Sequence, residues 1–158
     1  MRLHALPWLL LVLLLAGCPH PLWLPDRNLK ENLSDADVVG EWRLTAESLE
    51  LLKRDGFKPA DAHRYLITLL KDGTCTFQTV LDRMPEPAVY HEATGKWKLA
   101  PATDRDAKAK RKNALSLELK INGGYNTGFG FDRKNKALLL WTHHGDPDSW
   151  EFIEYQKP

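Results

Sequence analysis

Over much of this chain, hydrophobic and polar residues alternate one for one. In Leu115-Ser116-Leu117-Glu118-Leu119-Lys120-Ile121 every odd position is apolar and every even one polar. That period of two predicts a strand with one buried and one wet face. Gly40-Glu41-Trp42-Arg43-Leu44 and Gly95-Lys96-Trp97-Lys98-Leu99 alternate likewise. Less regular strands are predicted over 64–70, 74–82, 125–132, 137–144 and 149–156. Turn chemistry separates them: Lys71-Asp72-Gly73, Asn122-Gly123-Gly124, the polar run 132–136 and Gly145-Asp146-Pro147-Asp148. Short turns make consecutive strands antiparallel neighbours.

One helix interrupts the series. Over 46–55, Leu49 and Leu52 share a side and Glu50 stands four residues before Arg54; Thr45 is placed to cap the start and Gly56 to end it. Eight strands in a meander leave two bare edges unless the sheet closes on itself or splits into a two-sheet sandwich. The expected fold is therefore all-β: an eight-stranded antiparallel up-and-down barrel, with one short helix between strands 1 and 2. Its inward positions would include Trp42, Leu44, Phe77, Trp97, Leu99, Leu117, Leu119 and Trp141.

The first 37 residues follow another logic. Arg2 and the Leu-rich run from Leu6 to Leu15 read as an export signal over residues 1–17. The run is too short to span a bilayer, and Pro19 and Pro21 stop any helix that would lengthen it. Residues 18–37 read as a tether, in which Pro19, Pro21 and Pro25 favour extended chain. Leu22-Trp23-Leu24 breaks its polarity with an apolar patch. Two fates are open to that patch, the membrane interface or the domain surface. Residues 38–158 form the barrel domain.

Leu15-Ala16-Gly17-Cys18 resembles, residue for residue, the lipobox of bacterial lipoproteins. The resemblance implies cleavage before Cys18, a diacylglycerol on its sulfur and acylation of the new amine. It implies a chain of the cell envelope, lipid-anchored to a bacterial membrane (the outer membrane facing the periplasm in a Gram-negative cell). Asp37-Val38-Val39-Gly40-Glu41-Trp42 resembles the Gly-x-Trp opening of lipocalin-like barrels, a spacing that occurs again at Gly95-Lys96-Trp97. In that family the first Trp packs across the closed end of the barrel under a basic residue from near the chain terminus. A Thr-Asp-Tyr motif lies on a later turn, to which Thr103-Asp104-Arg105 is the nearest match here. The resemblance implies a small apolar ligand or lipid in the barrel, touched by Trp42, Phe77, Trp97, Phe129 and Trp141. The alternative is a non-catalytic structural or protein-interaction module whose barrel is filled by side chains.

Composition narrows the classes. The 158 residues include 22 basic and 21 acidic ones, for a net charge of +1, which argues against a nucleic-acid partner. There are two cysteines. With Cys18 given to lipid, Cys75 has no partner in the chain and reads as an inert core thiol. Thr103 to Asn113 carries five basic and two acidic residues, a solvated loop or a contact for anionic headgroups. Gly128 and Gly130 alternate with Phe129 and Phe131, so one face of that strand has little side chain, suiting a bend, a close backbone approach or a ligand shelf.

Among polar clusters, His143, His144, Asp146 and Asp148 fall within six residues. Adjacent strand residues face opposite ways, so in a regular strand the two histidines do not share a metal, which leaves one His with Asp146 or Asp148 at the strand end as the metal reading. A polar turn explains the group better than a metal site. The chain shows no nucleophile elbow, phosphate loop or paired-Cys site. The expectation is no enzyme, no cofactor and no metal, with a membrane bound through the N-terminal acyl chains.

Overall fold

The computed structural model describes residues 27, 29–56, 64–80, 90–120, 124–144 and 151–158. The alternating segments form eight strands: β1 Gly40–Leu44, β2 Leu66–Leu69, β3 Thr74–Val80, β4 Tyr90–Ala100, β5 Ala114–Leu119, β6 Tyr125–Lys134, β7 Ala137–His143 and β8 Phe152–Gln156. Each pairs antiparallel with the next, and β8 returns to β1, so the sheet is a closed barrel in plain sequence order. Among the described residues, three short helices accompany it: α1 Asp35–Val38, α2 Ala46–Arg54 between β1 and β2, and α3 Asp104–Lys108 between β4 and β5.

The β2–β3 and β6–β7 turns fold as their residues dictate. Gly73 takes a φ of 81° in the β2–β3 turn. The β6–β7 turn is tighter than the polar run suggested. β6 continues to Lys134, leaving Asn135 and Lys136 at φ 53° and 70° as a two-residue hairpin loop. β4 starts earlier than expected, at Tyr90. The small residues Ala93, Thr94 and Gly95 blur its alternation in the sequence, yet Ala93 and Gly95 are buried and Thr94 is exposed.

The seam between β1 and β8 is short. Two residue pairs close it, Arg43 with Gln156 and Leu44 with Tyr155, followed by a bond from the Thr45 N–H to the Glu154 carbonyl (3.0 Å). There α2 takes over. Thr45 caps it by accepting from the Ser48 N–H, and the Ser48 hydroxyl oxygen accepts from the Glu154 N–H at 2.7 Å. The helix that interrupts the meander thus staples the joint of the barrel.

Residues ahead of β1 are bound to the barrel as a strap. The Leu29 N–H donates to the Phe131 carbonyl (2.8 Å) and the Leu33 N–H to the Lys112 carbonyl (2.9 Å), and both leucines join the buried core. Asn113 ties strap to barrel. Fully buried, its amide donates to the Leu29 carbonyl at 2.6 Å while its side-chain oxygen accepts from the Ala102 N–H at 3.0 Å. Glu31 pairs with Arg133 (2.8 Å), whose guanidinium holds the carboxyl below its usual range.

Candidate functional site

Two regions of a barrel can hold a partner, its lumen and its outer wall. The lumen is built from the inward positions of all eight strands, and among the described residues its middle is packed. Trp42, Ile67, Leu69, Phe77, Leu117, Phe131 and Leu140 have no exposed surface. A side chain facing an empty chamber wide enough for water would carry accessible area; these carry none. The aromatic rings interlock in two tiers. Trp42 meets Phe131 with centroids 5.9 Å apart, and Phe129 lies between Phe77 (6.3 Å) and Tyr155 (6.2 Å). Tilted and edge-on contacts at these separations are the favourable ones for rings.

The polar atoms of this interior are committed to one another. Thr79 and Tyr155 join hydroxyls across the barrel at 2.7 Å. The Trp42 indole N–H donates to the Val38 carbonyl (2.8 Å), and that of Trp97 to the Leu70 carbonyl (2.8 Å) beside the β2–β3 turn. Over the Trp42 ring stands the Lys157 ammonium, 5.3 Å from its centroid, while it donates to the Asp37 and Val39 carbonyls at 2.6 and 2.8 Å. One end of the barrel is closed by this assembly of α1, Trp42 and the chain terminus. Partial burial there lowers the Lys157 pKa.

Of the residues expected to line the lumen, Trp42, Phe77, Trp97 and Phe129 point inward and Trp141 does not. Trp141 is paired with Gly130 and lies on the same, outer face. A Cβ on Gly130 would come within 2.4 Å of the indole ring. Its neighbour Leu140 takes the core position instead. The run Leu138-Leu139-Leu140-Trp141 is apolar throughout, so its hydrophobicity carries no phase. The Arg27 side chain covers part of this outward apolar face. Leu139 is 3% exposed although it lies on that face, and the Arg27 guanidinium lies over Phe152 and Trp141, 4.3 and 5.5 Å from their centroids. Arg27 is held there by Glu154 and by Asp132 (3.5 Å).

Beside Trp141 the wall of the barrel is hollowed into a furrow of about 390 Å³. Cross-strand pairing explains it. Ala100, Ala114 and Gly130 are successive outer-face partners across β4, β5 and β6, and Ser116 is paired with Gly128 in the next row. Such short side chains leave the sheet nearly bare. Trp141 and His143 form one wall, their rings edge to face with centroids 5.5 Å apart, and Pro101 and Ala102 close the other.

The remaining candidates fall elsewhere. Asp146 and Asp148 lie outside the described residues, as does Cys18. His143 faces outward, whereas His144 is buried and bonds Asp55 at the end of α2, so the adjacent histidines serve opposite faces. Among the described residues no group of three or more potential ligands could hold a metal ion. Burial raises the Cys75 thiol pKa to about 11. Thr103-Asp104-Arg105 opens α3. Thr103 caps the helix and, with Arg111, holds the buried Asp106 carboxyl down to about 2.

Sequence reasoning missed Tyr155, Asn113 and Arg27. Tyr155 was legible as a period-two partner of Ile153. Nothing local marks Asn113 or Arg27, whose roles come from partners more than eighty residues away. No protein-family model matches the chain, and comparisons with curated proteins and with solved structures find no match. What fold and site define is a class: a closed eight-stranded up-and-down barrel with a packed core and an apolar furrow on its wall.

Proposed function

We propose that this chain is a bacterial envelope lipoprotein, anchored through acylated Cys18, whose lipocalin-like barrel is a solid interaction module and not a container. The observation that carries the reading is the filled lumen. Trp42, Phe77, Phe131 and Leu140 have no exposed surface, where an apolar binding chamber of the usual kind leaves roughly 300–1,000 Å³ free. Trp42 beneath Lys157 supports the likeness to lipocalin-like barrels at the closed end. The lipobox supports the anchor.

The container reading, a small apolar ligand or lipid in the barrel, has less support. It needs convergent polar groups to orient a ligand, and the interior hydroxyls and indole N–H groups described above bond to protein. The wall, by contrast, offers a shaped apolar recess.

Two measurements test the proposal. Intact mass of protein from a bacterial host should show loss of residues 1–17 and added acyl mass, and Cys18→Ser should leave the membrane fraction. A Cys18→Ser chain that stays with membranes overturns the anchor. Titration with N-phenyl-1-naphthylamine should give no saturable fluorescence that depends on the lumen. One-to-one binding with Kd of order 1 μM (about −8 kcal/mol), abolished by Phe129→Trp, overturns the solid barrel.

A further inference from the structure

We propose that the furrow beside Trp141 is the seat of the chain's own Leu22-Trp23-Leu24 segment, which docks there and extends the strap across the barrel wall. This goes beyond the proposed function and stands whether or not Cys18 is acylated.

Three observations lead to it. The first is where the described chain begins. Arg27 is pinned over Phe152 and Trp141 by Glu154 and Asp132, so the described chain begins beside the wall of the furrow. The second is length. From β7 to β4 the furrow crosses three strand spacings, about 14 Å. Five residues of extended, proline-bounded chain at about 3.1 Å each span about 15 Å, the distance from Arg27 back to Leu22. The third is chemistry. Pro21-Leu22-Trp23-Leu24-Pro25 is an uncharged apolar stretch in a polar tether, and the furrow has a floor of Ala100, Ala114, Ser116, Gly128 and Gly130. Small residues in two adjacent rows give depth for a large side chain, and Trp23 is the largest in reach. Downstream, the same strap already buries Leu29 and Leu33. Docking of Leu22-Trp23-Leu24 continues that pattern and keeps an apolar recess from water.

Photo-crosslinking of the full chain tests this, with Trp23 replaced by p-benzoylphenylalanine to keep an aromatic side chain. After irradiation in membranes and digestion, mass spectrometry should find residue 23 joined within the same molecule to peptides holding 100–102, 114–116, 128–130 or 141–143. Gly128→Leu fills the floor. A Cβ there meets nothing nearer than the Leu115 carbonyl oxygen at 3.7 Å, so the fold should tolerate it. The intramolecular product should drop at least ten-fold. If Gly128→Leu loses its β-sheet circular dichroism, Ser116→Lys, which puts a charge on the same floor, is read in its place with the same expectation. Crosslinks to lipid alone, to a second copy, to another part of the barrel or to nothing overturn the proposal. So does a furrow product that either folded floor variant leaves unchanged.

Discussion

Phe77→Ala separates a solid barrel from a hollow one. Phe77 points inward from β3, has no exposed surface and packs its ring on Phe129. In a packed interior, cutting Phe to Ala removes the transfer free energy of the ring and leaves a cavity, together about 3–5 kcal/mol. Each kcal/mol is worth about 3–5 °C in a domain of this size, so Tm should fall by about 10–20 °C. A residue lining an open chamber would show a much smaller loss, because the truncated ring leaves space already present. The variant should also gain what the parent lacks, a dry hole sized for a small aromatic. Benzene at a hundred times its Kd would return about 2.7 kcal/mol, and the parent would show no such shift. Differential scanning calorimetry with and without benzene reads both effects. A Phe77→Ala chain melting within about 4 °C of the parent, under about 1 kcal/mol, refutes the packed lumen and with it the case against a container.

Glycine substitutions in the strands should differ sharply by position. At Gly95 a Cβ would stand 2.2 Å from the Glu118 carbonyl oxygen, so Gly95→Ala must part β4 from β5 and should cost about 2–4 kcal/mol. Gly128→Ala should stay within about 1 kcal/mol of the parent, and thermal melts of the two decide it. Asp106 titrates lower folded than unfolded, about 2 against 3.8, so its contribution is full above the unfolded value and lost as pH falls from about 4 to 2. Asp106→Asn should flatten the decline of Tm over that window; equal slopes would contradict the Thr103–Asp106–Arg111 cluster. Cys75, raised to about 11 by burial, should ignore Ellman's reagent at pH 8 in a folded Cys18→Ser chain and react fully in guanidinium.

The barrel was legible because its strands are wet on one side. Where an inward Trp42 or Leu117 alternates with an outward Glu41, Arg43 or Glu118, register follows from the pattern, and the edge argument then favours closure. Turn residues placed the strand boundaries to within a few positions. Legibility failed where the outer face is also covered. Leu139 is buried on the outer face and Arg27 covers Trp141 and Phe152, so Leu138 to Trp141 show no alternation and the sequence places Trp141 in the lumen. The strap itself read as tether because its anchoring is tertiary. Leu29 and Leu33 are buried and bond to Phe131 on β6 and to Lys112 ahead of β5, and Asn113, an ordinary loop residue by sequence, supplies the knot.

That same covering argues for the wall, and not the lumen, as the surface that receives further chain. Lumen packing fixes Trp42, Phe77, Phe129, Phe131 and Tyr155 against one another, and a ligand entering there would have to displace rings that give up both contacts and burial. The wall poses no such cost. Its floor residues are too small to collapse inward, and Gly130 is bare because the Trp141 ring occupies the place of its side chain. A Cβ at that position would lift the ring and spoil the furrow without touching the core. Gly130 and Trp141 therefore act as a matched pair, shaping a recess that the folding of the barrel does not itself require.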